Sequence, residues 1–221
     1  MTPANRKIEW LVWGGLLLVI ATLVLVFLLR EVRARNSLAK ELPPLGTVAD
    51  FTLTNQAGQT VTLDTLRGHV WVGDIIFTRC PGPCRKMTHE MNELSEALPV
   101  GSNARLVTLT TDPTYDTPPI LRDYVQQLKL KTTPADRWLF LTGTKQQIAQ
   151  LAVDSLKLTA LEKPTGDRES ANDLFIHSTI FVVVDKQGQL RAVFQSTGEG
   201  VDFQQVKGKI LNTVRRLEGE R

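Results

Sequence analysis

The stretch Val70 to Cys84 (VWVGDIIFTRCPGPC) limits what this chain can fold into more than any other. Its first eight residues are apolar for the most part, rich in β-branched side chains and free of proline, so they read as a buried central strand. The strand runs into Cys80-x-x-x-Cys84, and a helical pattern follows at once. Met87, Met91, Leu94 and Leu98 recur at spacings of three and four, which makes a core-facing stripe. Strand, short loop and helix in that order call for an α/β architecture. The two cysteines are the only ones in the chain. With one in the loop and one in the first helical turn, their sulfurs come close enough to form a disulfide or to hold a soft metal ion. A helix N-terminus favours thiolate over thiol, and Arg79 and Arg85 add positive charge, so the pair is expected to be reactive. Two inert buried cysteines, or one structural disulfide, are the alternative. Pro81-Gly82-Pro83 argues against it by fixing a loop at a strand end, where sites are usually built.

The chain of 221 residues has room for an anchor and one domain. Residues 1–9 form a short tail, and residues 10–29 (WLVWGGLLLVIATLVLVFLL) carry no charge. Twenty helical residues at roughly 1.5 Å each match the ~30 Å hydrocarbon thickness of a bilayer. Trp10 and Trp13 suit the interface, and Arg30, Arg33 and Arg35 stand where a signal peptide would have its cleavage site. The expectation is one uncleaved transmembrane helix. Residues 30–46 form a linker stiffened by Pro43-Pro44, and residues 47–221 form the domain. The formal charge of +3 lies wholly in residues 1–45, leaving the domain balanced and without the electrostatic footprint of a nucleic-acid binder. Basic residues on both sides of the apolar run leave its orientation open, with a slight bias toward a cytoplasmic domain. Dithiol chemistry argues for the oxidising side.

Along the domain, Phe51–Thr54 and Thr60–Leu63 read as a hairpin around Asn55-Gln56-Ala57-Gly58. Asp64 to Arg67 reads as one turn ended by Gly68. Arg105 to Thr111 and Trp138 to Leu141 read as further strands of parallel type. In Asp112-Pro113-Thr114-Tyr115-Asp116-Thr117-Pro118, Asp116 or Thr117 is expected to cap a helix that opens at Pro118. Lys145 to Leu156 reads as a helix, and Leu161 to Ile176 as a long loop ending at His177. Thr179–Val184 and Leu190–Phe194 form a terminal hairpin, and Asp202 caps a last helix. The fold class is α/β, thioredoxin-like, with an added N-terminal β-hairpin. Met87 and Met91 are read as core, and His89 as exposed.

Four motifs in this order resemble the Sco/SenC proteins, membrane-tethered copper chaperones of cytochrome c oxidase assembly. They are Asp74-x-x-Phe-Thr-x-Cys80-x-x-x-Cys84, Asp112-Pro-x-x-Asp-Thr-Pro118, Trp138-x-x-Leu-Thr-Gly143, and His177-Ser178 before a Val-rich strand ending at Asp185. The resemblance implies that Cys80, Cys84 and His177 bind copper, as Cu(I) or Cu(II). It implies delivery of that copper to the dinuclear copper site of the oxidase, with the copper-site subunit as partner. It also implies a domain outside the cytoplasm, in the bacterial periplasm or the mitochondrial intermembrane space; nine residues before the span leave no room for a mitochondrial transit peptide, so the expectation is a bacterial inner membrane with the domain in the periplasm. Thiolates suit Cu(I), and imidazole accepts both oxidation states. Two departures stand out. Arg85 replaces a common proline, and Ile176 stands where many members have an aspartate able to orient the imidazole. A thiol–disulfide oxidoreductase using Cys80 and Cys84 is the alternative function, with Asp74 as a candidate proton carrier. A peroxidase rests on analogy of fold alone.

Overall fold

In the computed structural model, residues 13–27, 29–30, 42–130, 137–164, 166, 175–198 and 200–220 are described, apart from the side chains of 160, 161, 176 and 177. The chain divides into two compact units, Met1–Pro43 and Pro44–Arg221. In the first, residues 13–27 are helical and their apolar side chains are exposed. Among the described residues no helix is long and apolar enough to cross a membrane, and the ends of the expected 10–29 span lie partly outside them.

The second unit is built on an eight-stranded sheet. Its strands are β1 (Gly46–Thr47), β2 (Thr52–Asn55), β3 (Thr60–Thr62), β4 (Trp71–Ile76), β5 (Arg105–Thr110), β6 (Trp138–Thr142), β9 (Ile180–Val184) and β10 (Gln189–Gln195). They lie in the order β1-β10-β9-β4-β5-β6-β2-β3. β4, β5 and β6 are parallel neighbours. β9 runs antiparallel to β4, and β2 antiparallel to β6. Every residue of β4 is buried, as its apolar run requires. The helices are α1 (Leu63–Leu66), α2 (Cys84–Ala97), α3 (Pro118–Gln127), α4 (Lys145–Ala149) and α5 (Phe203–Gly219). β7 (Ala160–Glu162) and β8 (Phe175–His177) pair as a separate two-stranded sheet.

Strand alternation gives the two faces of the sheet different tasks. Trp71, Ile75, Val107, Leu109, Leu139, Leu141, Val182 and Val184 join Leu151 and Leu156 in an apolar core. The alternate positions Asp74, Thr108 and Thr110 are polar yet buried. Helix α2 buries Met87, Met91 and Leu94, each worth about 1.5–3 kcal/mol of transfer free energy. His89 is exposed, so these three residues behave as their spacing predicts. At the far edge, buried Gln56 extends the ladder of β6, taking the Phe140 N–H (2.9 Å) and donating to the Trp138 carbonyl (3.0 Å).

Two expectations need correction, and a third is narrowed. The single helix over 145–156 is α only to Ala149 and continues as a π-helix, Gln150–Ser155. The wider turn lets the Ser155 hydroxyl reach the Ala49 N–H at 3.2 Å. The loop expected over 161–176 begins and ends in strand, because β7 and β8 pair through Leu161↔Ile176 and Glu162↔Phe175. Of the two residues expected at the N-cap of α3, Thr117 takes the position and Asp116 does not. Thr117 makes no side-chain bond there, and Pro118 opens the helix.

Candidate metal and thiol site

β4 delivers the chain to Phe77, and the next seven residues turn back into α2. The Cys80 N–H donates to the Phe77 carbonyl (3.2 Å), closing a tight turn over Thr78 and Arg79. The Phe77 N–H in turn points at Cys84 Sγ (3.5 Å). Cys84 is the first residue of α2, whose N-cap is Pro83 and carries no side-chain cap. The two cysteines are thiols, not a disulfide, and their side chains are hydrogen-bonded to one another. Cys84 is 1% exposed and Cys80 9%, so the approachable sulfur is that of Cys80.

The electrostatics reverse part of the expectation. Burial pushes the Cys84 thiol well up, and the bond to Cys80, the charge of Cys80 and the Asp74 carboxyl push the same way. The Phe77 N–H acts in the opposite direction. Desolvation thus outweighs the helix terminus. Arg79 does not correct this, because its guanidinium is engaged elsewhere. It lies 2.6 Å from Asp112 Oδ2 and 3.9 Å over the Tyr115 ring.

Asp116 is fully buried, and its carboxylate collects three donors. They are the Thr78 hydroxyl (2.5 Å), the Thr78 N–H (3.1 Å) and the Thr110 hydroxyl (2.5 Å). Asp112 and Asp116 therefore grip the two residues that precede Cys80. Beneath the pair, Asp74 is 0% exposed on the α2 face of the sheet. Tyr124 is nearby, bonded through its hydroxyl to Thr88 (3.0 Å), and burial drives its phenol above its ordinary value.

The histidine arrives from the other side. The Phe175 ring of β8 meets Phe77 edge-on at 5.2 Å, seating the strand that ends at His177 against the root of the cysteine loop. Directly after His177, the Ser178 N–H donates to the Thr159 carbonyl (3.1 Å) and the Thr159 N–H to the Ser178 hydroxyl (3.1 Å). The backbone of His177 is held on both flanks, while its side chain lies outside the described residues. Among the described residues no three His, Cys, Asp or Glu side chains form a metal cluster. The structure brings Cys80 and Cys84 together and docks the strand of the third candidate beside them.

The sequence pointed Arg79 to the thiols and Asp116 to a helix cap, marked Asp112 only as a motif member and gave no sign of Phe175. A signal was present for Asp116: Thr117 and Pro118 already supply a helix start, which leaves the aspartate beside them to some other task.

A sequence model of the SCO1/SenC family matches residues 40–212. A SCO1 protein homolog of Bacillus subtilis is 34% identical over 145 residues, covering 65% of this chain and 70% of that protein. A SCO2-like protein of Rickettsia felis is 30% identical over 141 residues, 63% of this chain and 65% of that one. A solved structure of BsSco, described as a member of the Sco family of cytochrome c oxidase assembly proteins with a disulfide switch, superposes with a TM-score of 0.65 at 29% identity. That match covers 80% of this chain and 97% of BsSco. A copper-bound ScoI from Bradyrhizobium japonicum has the same fold (TM-score 0.61, 21% identity, 77% of this chain and 99% of ScoI).

Proposed function

This chain belongs to the SCO1/SenC family, and from that footing we propose that it is a copper carrier for cytochrome c oxidase assembly. Cys80 and Cys84 would supply two soft sulfur ligands, and His177 the nitrogen. The observation that carries the reading is the pairing of the Cys80 thiol in the loop with the Cys84 thiol at the start of α2, with β8 seated on Phe77 beside them. BsSco is named for its place in oxidase assembly, and copper is held in ScoI, which shares this fold. The donor set fits such a cargo. Thiols buried beside one another select a soft cation, and an ion held by one loop and one separate hairpin can be handed on as the hairpin moves. The proposed recipient is the dinuclear copper site of the oxidase subunit that carries it.

In this proposal the exposed apolar helix at 13–27 belongs to a single-pass anchor in a bacterial inner membrane, with the domain in the periplasm. Protease added to spheroplasts should then degrade the domain, and protection would refute that topology. The deciding experiment is a copper titration of the reduced domain, residues 40–221, followed by optical and EPR spectroscopy. One copper per chain with sulfur-to-copper charge transfer is expected, and His177→Ala should weaken binding at least tenfold. Binding equal to the parent's would remove His177 from the ligand set.

A second reading, thiol–disulfide exchange, is favoured by the unequal burial of the two sulfurs. The Cys80 thiolate would attack a partner disulfide and release one partner thiolate, leaving a mixed disulfide. Cys84 would then attack Cys80 Sγ, so that the partner leaves reduced and the pair oxidised. Cys84→Ser should accumulate the mixed disulfide, and no trapped species would count against this route.

A further inference from the structure

We infer that Asp116 is a positioning residue for the thiol pair: through Thr78 it holds the cysteine loop in the geometry of the reduced, ion-accepting state. Its effect on copper rests on the function proposed above, whereas its effect on the thiols does not.

The first observation is what Asp116 does not do. It sits two residues ahead of Pro118, where a helix-capping role is the ordinary expectation, yet the N-cap position belongs to Thr117. Its carboxyl is instead fully buried and turned toward two strand ends. A carboxylate taken out of water is costly unless donors surround it. Here the donors come from the chain just past β4 (Thr78 N–H and hydroxyl) and from the end of β5 (Thr110 hydroxyl). β4 and β5 are parallel neighbours at the buried middle of the sheet, so the carboxylate ties the first residues of the cysteine loop to its centre.

The second observation is the reinforcement around it. The Asp116 N–H donates to the Asp112 carbonyl (2.8 Å), the Asp112 N–H to the Thr110 hydroxyl (3.0 Å) and the Thr111 N–H to the Ile76 carbonyl (2.8 Å). Asp112 holds Arg79 at 2.6 Å. Residues 78 and 79 are thus each held by a carboxylate, and Cys80 comes next. On the other side of Cys80, Pro81, Gly82 and Pro83 are exposed. The clamp therefore decides where Cys80 starts, and the proline-rich arc only returns the chain to α2. The structure shows the clamp closed with both sulfurs as thiols. Loosening it removes a restraint on the dithiol form and shifts the pair toward disulfide.

The test measures the Cys80/Cys84 dithiol–disulfide equilibrium of the metal-free chain in glutathione buffers. Asp116→Asn keeps the shape but replaces one acceptor oxygen with a donor. It should move the equilibrium about tenfold toward disulfide, the size of one charge-assisted hydrogen bond and equivalent to roughly 30 mV. Thr78→Val should shift it the same way, Thr78→Ser should restore the parent value, and the double variant Thr78→Val/Asp116→Asn should add little to either single change. Ile148→Val, in the core on the opposite face of the sheet, serves as the stability control and should leave the equilibrium within about twofold, although it costs about 0.5–1.5 kcal/mol of stability. An unchanged equilibrium in Asp116→Asn, or an equal shift in Ile148→Val, overturns the inference. Should Asp116→Asn fail to fold, Thr78→Val against Thr78→Ser decides it alone. In the reduced chain, copper affinity should fall by a similar factor. A parent that binds no copper would overturn the copper reading and leave the thiol equilibrium to judge the clamp.

Discussion

Glu90 shows what burial does to a single carboxyl. Its side chain is 5% exposed, with Lys86 Nζ at 3.8 Å, and desolvation raises its carboxyl above the ordinary range despite that cation. Asp116 is raised for the same first cause, against the pull of its three donors. A carboxyl raised in the folded state holds a proton that the unfolded chain has already released. Both groups therefore remove stability as pH rises from the ordinary carboxylate range, about pH 4, through their folded values. Glu93 has the opposite sign. Hydrogen bonds from Lys207 and Gln204 lower it, so its contribution is present above the ordinary carboxylate pKa and is lost as pH falls. Urea unfolding of the domain at a series of pH values should show Glu90→Gln gaining on the parent as pH rises; a constant difference would mean that Glu90 titrates alike folded and unfolded. Packing sets a different limit at Gly143, where an added Cβ would lie 2.6 Å from Leu53 Cδ2 and 3.0 Å from Gln147 Oε1. Gly143→Ala should cost about 1–3 kcal/mol through overpacking, read as a lower urea midpoint at unchanged slope. That glycine was legible only as a member of a motif, because the residue it must admit, Leu53, is ninety positions away.

The element with most to explain is the β7–β8 hairpin. As a sequence, 161–176 is polar and turn-rich, with no period to suggest a strand. Its two strands are three residues each, too short for alternation to register, and they form because they meet one another. Phe175 is the link from that hairpin to the cysteine loop, through Phe77. Phe175→Ala should cost little global stability, of the order of the 0.5–1.5 kcal/mol that an aromatic pair adds. It should nonetheless raise amide exchange across 175–178 and weaken copper binding by the reduced domain. Hydrogen exchange read by mass spectrometry checks the first effect and a copper titration the second. Exchange equal to the parent's would show that Ser178 and Thr159 hold the hairpin without Phe175. Helix α2 is the contrasting case. Its stripe of Met87, Met91 and Leu94 was readable because helical spacing and burial coincide over about two turns.

At the scale of the molecule, the two compact units separate at Pro43/Pro44. A chain of residues 44–221 should fold alone with one cooperative urea transition, and full-length protein should partition into lipid vesicles while this fragment stays in solution. Equal partitioning would show that the segment before Pro44 is not what binds lipid. The sequence by itself determined the alternation of strands and helices, the central strand that ends at a thiol pair, and the family to which the chain belongs. These follow from local pattern: the period of apolar residues, proline and glycine at the turns, and two cysteines on one turn. Only the tertiary structure decided that Asp116 serves the cysteine loop instead of its own helix, that Arg79 turns away to Asp112, and that burial pushes the Cys84 thiol up. Each depends on groups tens of residues apart meeting out of water, where a carboxylate must find donors and a thiol loses its solvation, and no local pattern encodes such meetings.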